Sequence, residues 1–289
     1  IYRLHPDYPE LFPDPEGADP EGLVAVGGDL SVRRLLAAYG AGIFPWYGEG
    51  QPLLWWSPDP RCVLFPEKFR ITHTVRKEIR KCGFSGTVNQ AFCDVMTGCA
   101  ATPRPDQDGT WIMPEMVDAY ASLHELGFAH SVEVWEHDAA GNTLVGGLYG
   151  VGLGRAFFGE SMFHVRPHAS KLALVSLMAW LKARHCQLVD CQMATDHIMR
   201  YGAECILGMI FCNSFGRLSA AVDEHKRKGP FVGTGLFFGF GGAENTPRTA
   251  GGMSAALLYD FMAAPPNTFQ TIRRTLLGPV ELLSRRAQT

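Results

Sequence analysis

The chain has 289 residues, of which 46% are hydrophobic and 19% charged, and its formal net charge is −3. This length suits one large or two modest globular domains. The slightly negative charge argues against a strongly basic nucleic-acid-binding protein, but it leaves a local basic patch open. The 8 cysteines include no C-x-x-C pair and no zinc-like spacing, which favours buried free thiols over a disulfide scaffold. No signal-peptide pattern and no apolar run of roughly 18 or more residues occurs, so we expect a cytoplasmic protein.

The first hundred residues are predicted to form a smaller N-terminal domain (1–100). Residues 23–26 predict a short strand, and Ser31 is suited to cap a helix that runs to Tyr39. Two proline-broken loops follow at 42–47 and 54–61, and both are unusually aromatic. Rings in loops either fill a core or offer stacking surfaces, and several in adjacent loops favour a cleft that binds a flat ring.

A basic amphipathic helix is predicted at 72–81, with Val75 and Ile79 four residues apart on its buried side. Its outer side carries only cations. Such a face is commonly a solvated surface, and the alternative is a patch that contacts phosphates. The outward-facing cations are Arg76, Lys77, Arg80 and Lys81.

Two further helices are predicted around the boundary to a larger second domain (101–204). One runs over 89–101, and the other begins at Pro114, which suits the first position of a helix, and ends at Gly127. A polar loop with two prolines lies between them, so we place the domain boundary near 95–115.

The second domain then changes to strands. Residues 131–135 and 143–150 predict an antiparallel hairpin. The segment 150–155 (GVGLGR) is similar to a phosphate-binding glycine loop, but a strand follows it, so we interpret it as a hairpin turn. A long helix at 169–184 and a strand at 188–192 complete the pattern of a domain built on a mixed sheet with helices.

Three polar groups stand out in two apolar strands. The strand 157–163 (FFGESMF) carries Glu160, and the next strand ends in Asp190, Cys191 and Gln192. Alternation puts the side chains of Asp190 and Gln192 on one face and Cys191 on the other, where it is predicted to be a core residue. Buried polar groups must be paired. Two interpretations stay open, a hydrogen-bonded network that only fixes the core and a functional site.

Ten motifs in this order, spread over residues 10–204, resemble leucyl/phenylalanyl-tRNA–protein transferases. The resemblance implies transfer of Leu or Phe, and less readily Met, from aminoacyl-tRNA to an N-terminal Arg or Lys, which marks proteins for N-degron proteolysis. It also implies an α/β (α+β) fold whose C-terminal domain is a GNAT-like mixed sheet. The motifs are GGDL (27–30), GIFPWY (42–47), WWSPDPR (55–61), GTWI (109–112), HSVEVW (130–135), GGLYG (146–150), FFGESMF (157–163), ASK (169–171), DCQ (190–192) and YGAE (201–204).

The segment 205–289 departs from this family. An I-P-R-like stretch usually follows the YGA motif, and it is absent here. The segment is rich first in Gly and Phe and then in Ala, Pro and Arg, without a clear periodicity. We interpret it as an atypical tail and leave three explanations open: disorder, a frameshifted reading and a genuine extension.

The resemblance implies three catalytic residues. Glu160 would contact the α-amino group of the bound aminoacyl moiety. Asp190 would attract the incoming amine and either accept its proton or act mainly through its charge. Gln192 would hold that amine or the developing oxyanion. No Ser-His-Asp or Cys-His constellation is evident, so positioning of an already activated ester is expected to supply most of the rate.

The resemblance also implies binding residues. Trp46 and Trp111 would stack on the 3′-terminal adenosine, and the cations of the helix at 72–81 would grip tRNA phosphates. Apolar residues would form a slot that admits Leu, Phe and Met side chains and rejects β-branched ones sterically, with graded selectivity. The slot residues are Leu148, Phe157, Met162, Leu174, Leu177, Leu181 and Val189.

No metal or other cofactor is expected. The expected partners are aminoacyl-tRNA carrying Leu or Phe and proteins with an N-terminal Arg or Lys; a membrane is not expected as a partner, and the protein is expected to be a monomer. Three alternatives stay open. A GNAT acyl-CoA transferase would need an Arg/Gln-x-x-Gly-x-Gly/Ala turn, which is missing. A Fem-type transferase shares the fold but has other N-terminal motifs. A non-catalytic tRNA-binding protein would not require Asp190 or Glu160.

Overall fold

Helices cover both faces of a large mixed sheet, and a small sheet packs beside it. The predicted α/β (α+β) class is therefore confirmed. The computed structural model describes residues 1–103, 110–139, 141–208 and 210–211, and the backbone of 237–239 and 252–254.

The small sheet is built from the N-terminal segment, and the helix α1 (Val32–Gly40) follows its second strand. Ser31 caps that helix as predicted, because its hydroxyl accepts a hydrogen bond from the amide of Arg34 at 3.4 Å. Leu35, Ala38 and Tyr39 are fully buried on the inner face of α1. In the order β1-β2-β4-β3, the strands are β1 (Tyr2–Arg3), β2 (Leu23–Val26), β3 (Phe44–Pro45) and β4 (Leu54–Trp56).

The large sheet runs in the order β11-β5-β10-β9-β8-β7-β6-β12-β13. Among the described residues, β9–β10 and β12–β13 pair in parallel and the other neighbours are antiparallel. The strands are β5 (Arg61–Leu64), β6 (Ser85–Val88), β7 (Ala129–Asp138), β8 (Gly141–Leu153), β9 (Ala156–His164), β10 (Leu188–Gln192), β11 (Glu204–Ile206), β12 (Phe237–Gly239) and β13 (Gly252–Ser254).

Five helices surround this sheet, and α5 forms the crossover that makes β9 and β10 parallel. Nowhere in the described ranges is a helix long and apolar enough to cross a lipid bilayer. The helices are α2 (His73–Lys81), α3 (Phe92–Ala101), α4 (Pro114–Glu125), α5 (Ala169–Ala183) and α6 (Asp196–Met199), with short 3-10 turns at Pro15–Gly17 and Pro66–Lys68.

The segments predicted from the sequence map onto this order with small shifts. The glycine-rich segment 150–155 is confirmed as a hairpin connection, although β8 continues to Leu153 before the chain turns. Both β5 and β6 lie in the large sheet, although they fall within the predicted N-terminal domain 1–100. Of the tail 205–289, the structure describes the end of β11, residues 207–208 and 210–211, and the backbone of β12 and β13. The rest of that prediction lies outside the described residues.

Helix α3 begins three residues later than its sequence predicts. Asn89 has a positive φ of 60°, which interrupts a helix at that point. The buried carboxylate of Glu133 accepts the amide protons of Gln90 and Ala91 at 3.2 and 3.4 Å, and so satisfies amides just before the helix. A residue on a distant strand therefore fixes the start of α3.

Two cores lie on opposite faces of the large sheet. One is shared with α2 and α5, and the other with α1, α3, α4 and the small sheet. Because strand side chains alternate, Phe157 belongs to the first core and Phe158 to the second, and both are fully buried. The start of β9 is thus enclosed on both faces, whereas residues 159–162 are partly exposed. A polar side chain beside this enclosed segment needs a partner where it is shielded from water.

Candidate active site

Glu160 lies at an irregularity of β9. Gly159 pairs with Gly150 and Ser161 pairs with Tyr149, so Glu160 is an extra residue without a partner on β8. The neighbouring strand β10 has the same irregularity at Cys191, because Asp190 and Gln192 pair with consecutive residues of β5. A bulge redirects side chains locally, and bulges are frequent beside active sites. The two predicted acidic strands therefore carry adjacent bulges.

Three side chains meet at the Glu160 carboxylate and form with it what we call the Glu160 network. The Tyr39 hydroxyl donates to Oε1 at 2.8 Å, and the Tyr120 hydroxyl donates to Oε2 at 3.4 Å. The amide Nε2 of Gln192 also donates to Oε1, at 3.0 Å. The Tyr120 hydroxyl is also hydrogen-bonded to the Tyr39 hydroxyl, and it shares its single proton between that oxygen and Oε2. Predicted residues Glu160 and Gln192 are thus in direct contact.

The Glu160 carboxyl group has a pKa near neutral pH. Burial raises its pKa to about 7, and the nearby Asp190 charge pushes in the same direction. The hydrogen bonds from Tyr39 and Tyr120 favour the ionised form and oppose that rise. A carboxylate that titrates near pH 7 can bind a proton or a cationic amine with little cost in either direction.

Asp190 is held by a buried arginine. The Arg61 Nε and Nη2 atoms donate to its two carboxylate oxygens at 2.8 and 2.7 Å, and the exposed fractions of the two side chains are 1% and 0%. The backbone amide of Gln192 also donates to Asp190 Oδ1, at 2.8 Å. Gln192 has a positive φ of 61°, so this bond stabilises a backbone conformation that glutamine rarely adopts. Asp190 thereby fixes the position from which Gln192 reaches Glu160.

The Arg61 guanidinium lies between two aromatic rings. Its Cζ atom is 4.9 Å from the ring centre of Phe44 and 4.7 Å from that of Phe211. Cations over ring faces are stabilised, most strongly when desolvated. Phe44 belongs to the small sheet, so the Arg61–Asp190 pair joins two strands of the large sheet at a place where the small sheet packs against them.

This pairing bears on the two roles left open for Asp190. A carboxylate engaged on both oxygens by a guanidinium and shielded from solvent has little capacity to receive an incoming amine. The geometry favours the second alternative, in which Asp190 acts through its charge and through the position it gives to Gln192. Cys191 packs against the core on the opposite face, in agreement with strand alternation.

The predicted apolar slot residues share one core. Leu148 pairs with Met162 across β8 and β9, and Phe157 pairs with Val189 across β9 and β10. On α5, Leu174, Leu177 and Leu181 recur at helical spacing and face these strands. Met162 is partly exposed, while the other six are at most 4% exposed. The seven therefore lie together, and their role as a slot stays a prediction.

Both predicted tryptophans are partly buried against the second core, which also contains Tyr39 and Tyr120. Trp46 packs edge-on against Trp56, with ring centres 5.9 Å apart. A hydrogen bond of 3.0 Å from the Tyr47 hydroxyl to Glu115 links the loop of Trp46 to the start of α4, a few residues after Trp111. The stacking role of the two rings is not tested by these contacts.

The predicted basic face of α2 lines a groove. Ile79 is fully buried beneath the helix, and Thr72 caps it by accepting the amide of Val75 at 3.2 Å. The cavity has a volume of about 270 Å³ and is lined by His73, Arg76, Lys77, Arg80 and Lys81. A concave cluster of cations suits phosphate groups.

Three residues of the site escaped sequence reasoning: Tyr39, Tyr120 and Arg61. The two tyrosines occur on apolar helix faces, where a buried phenol needs a partner, and that is a weak signal for a polar network. Arg61 lies in a strand among apolar residues, which likewise signals a buried partner. Across the residues that the structure describes, no group of three or more His, Cys, Asp or Glu side chains could hold a metal ion.

Comparison with known proteins identifies the family. The family model for leucyl/phenylalanyl-tRNA protein transferase matches residues 63–215, and the model for its N-terminal domain matches residues 28–59. The transferase of Lawsonia intracellularis is 60% identical over 198 residues, which cover 68% of this chain and 85% of that protein. The chain belongs to the leucyl/phenylalanyl-tRNA–protein transferase family. The predicted enzyme class, an aminoacyltransferase, is confirmed.

Other relatives extend the match. The transferase of Anaeromyxobacter sp. is 54% identical over 229 residues, 79% of this chain and 94% of that protein. Among solved structures, FemX has a TM-score of 0.40 and 9% identity, over 63% of this chain and 70% of its own, which is too low to support a conclusion. The two family models divide the chain between residues 59 and 63, whereas the boundary predicted from sequence lies near 95–115.

Proposed function

We propose that the protein transfers Leu or Phe, and less readily Met, from aminoacyl-tRNA to the N-terminal Arg or Lys of acceptor proteins. The observation that carries this proposal is the Glu160 network: two hydroxyls and one amide converge on a carboxylate whose pKa is raised to about 7. Family membership supports the class of reaction. Marking of the acceptors for N-degron proteolysis in the cytoplasm is part of the proposal.

The aminoacyl moiety binds with its α-amino group at Glu160, and its side chain enters the apolar slot at the partly exposed Met162, two residues further along β9. Slot burial admits Leu, Phe and Met through the hydrophobic effect, and a single methylene difference changes binding by only about 1–3 kcal/mol, so selectivity is graded. The tryptophans Trp46 and Trp111 stack on the terminal adenosine, and the α2 groove contacts tRNA phosphates.

The reaction joins the acceptor amine to the aminoacyl carbonyl carbon and breaks the ester bond to the ribose oxygen. The amine nitrogen gives up one proton, and the departing ribose oxygen gains one, so no net proton is consumed. Gln192 holds the amine or the oxyanion, and the Arg61–Asp190 pair keeps Gln192 in place. An α-amine has a pKa of about 7.7–8.0, so roughly a tenth is already the free base at neutral pH. Alignment then supplies most of the rate, on the order of 7–11 kcal/mol.

The decisive assay is transfer of labelled Leu or Phe from charged tRNA to a peptide that begins with Arg. A matched peptide that begins with Ala is the negative control, and Glu160→Ala is the inactive variant. Transfer to the Arg peptide, without transfer to the Ala peptide, supports the proposal.

Other outcomes favour the alternatives. Tight binding of charged tRNA without transfer, unchanged in Glu160→Ala, would indicate a tRNA-binding protein. Transfer only to side-chain amines of cell-wall peptides would indicate a Fem-type activity, and acetylation from acetyl-CoA would indicate a GNAT-type enzyme. Gel filtration with light scattering tests the predicted monomer.

A further inference from the structure

Three thiols meet at the end of the large sheet. Cys62 on β5 is the direct antiparallel partner of Cys205 on β11. Cys191, the extra residue of the β10 bulge, lies on the other side of Cys62, and its thiol is within hydrogen-bonding reach of the Cys62 thiol. We call these three residues the thiol cluster.

The backbone geometry suits a covalent bond between Cys62 and Cys205. Directly opposed residues of an antiparallel pair have Cα atoms about 4.5 or 5.5 Å apart. Disulfides span Cα distances of about 4.4–6.8 Å, so either kind of pair can be joined without a shift of the strands. Cys191 lacks this register, because Gln192 and not Cys191 is paired with Cys62 on β10.

The two thiols of that pair have complementary properties. Cys205 is exposed on the edge strand, while Cys62 is fully buried. Hydrogen bonds from the Cys191 and Cys205 thiols lower the pKa of Cys62, whereas desolvation and the neighbouring Cys62 thiol raise the pKa of Cys205. Exposure, and not acidity, therefore makes Cys205 the thiol that peroxide reaches first. Because the thiolate is the nucleophile in sulfur chemistry, Cys62 is the member of the cluster suited to attack an oxidised neighbour.

We propose that Cys62 and Cys205 form an oxidation site at which hydrogen peroxide links the two thiols in a disulfide bond. Peroxide transfers one oxygen to Cys205 Sγ, which becomes a sulfenic acid, and water is released. The Cys62 sulfur then attacks Cys205 Sγ, the S–S bond forms, and the oxygen leaves as a second water. The two thiols lose two electrons in total, and the peroxide gains them.

The site lies beside the proposed reaction centre but does not depend on the proposed function. Cys62 directly follows Arg61, and β11 precedes Phe211, whose ring covers the Arg61 guanidinium. A bond from Cys62 to Cys205 ties β11 to β5 and closes a long chain segment. Such a closure restricts the unfolded state, so oxidation stabilises the fold.

The test uses the full chain, reduced, freed of reductant and then treated with hydrogen peroxide. Remaining thiols are alkylated, and the protein is digested without reduction and mapped by mass spectrometry. The expected product is a peptide pair joined through Cys62 and Cys205. The midpoint of thermal unfolding should rise by about 5 °C or more and return to its starting value when reductant is added.

Single variants separate this pair from the other thiols. Cys205→Ser changes an exposed side chain and should abolish both the joined peptides and the rise in melting temperature. Cys191→Ser and Cys93→Ser, the latter an exposed thiol on α3, should keep both, and so should Cys212→Ser. A map that joins Cys62 to Cys191 would overturn the assignment. The assignment would also be overturned if Cys62 and Cys205 were both found as alkylated thiols in a sample in which methionine sulfoxide shows that the peroxide had reacted.

Discussion

Replacement of Arg61 by methionine tests the idea that a buried ion pair positions Gln192. The change keeps an apolar stem but leaves the Asp190 carboxylate without its two hydrogen bonds of 2.8 and 2.7 Å, at a position with 0% exposure. Removal of one partner from a buried pair costs about 3–5 kcal/mol, because the other charge stays buried and unpaired. For a folded part of this size, that lowers the melting temperature by roughly 6–20 °C.

The double variant Arg61→Met with Asp190→Leu separates stability from transfer. Apolar replacement of a whole buried pair is often neutral, so the double variant should unfold within about 1 kcal/mol of the wild type. The double variant should nevertheless lose transfer, because the backbone amide of Gln192 has no acceptor in place of Asp190 Oδ1. Urea unfolding and the peptide-transfer assay are run on the same preparations.

Arg166→Met is the matched control, since the Arg166–Glu136 pair has exposed fractions of 54% and 33%. Exposed pairs contribute about 1 kcal/mol or less, so this variant should stay close to the wild type in both measurements. The reasoning fails if Arg61→Met loses no more stability than the control. It also fails if the double variant retains transfer.

Three further predictions concern the charges and the slot. Folding raises the pKa of Glu160 from about 4.3 to about 7, so the stability that Glu160 contributes is full below about pH 4.3 and is lost as the pH rises through 7. In urea unfolding between pH 5 and 8, the free energy of unfolding should show this decline in the wild type and should not show it in Glu160→Gln. The double variant Lys77→Gln, Lys81→Gln should bind charged tRNA with a weaker salt dependence, so that the slope of log Kd against log salt concentration falls by about 1–2. The control variant Arg155→Gln, at an exposed position outside α2, should leave that slope unchanged. Met162→Ala should weaken kcat/KM for Leu relative to Phe by about tenfold or more, and equal loss for both would indicate a core residue.

Short-range chemistry made much of the fold predictable. Ser31 caps α1 and Pro114 begins α4 as predicted, and α2 begins one residue after its predicted start at Thr72, because the signals for these helix starts lie within a few residues. The strand at Phe157–Phe163 is found as predicted, since its apolar residues fill cores on both sides. Local patterns determine element type but carry little information about which elements pair.

The contacts of the site were out of reach for the same reason. Tyr39 and Glu160 are 121 residues apart, and Arg61 and Asp190 are 129 apart, so only the folded topology brings them together. Gly159, directly before Glu160, is a weak signal for the bulge in β9, whereas neither glycine nor proline adjoins the bulge at Cys191. Alternation along the strand predicts which face Asp190 and Gln192 share, but it does not predict that the Arg61 guanidinium binds both oxygens of Asp190.

The Glu160 network also limits how freely the chain can be divided or recombined. Its hydroxyls come from α1 and α4, its carboxylate from β9 and its amide from β10, so four separate stretches must be inherited together. A hybrid that takes the segment of α1 from an unrelated protein would lack the phenol that touches Glu160, however well its apolar residues fit. An N-terminal part taken from another protein must therefore supply a hydroxyl group at the position of Tyr39, and a well-fitting apolar surface does not replace it.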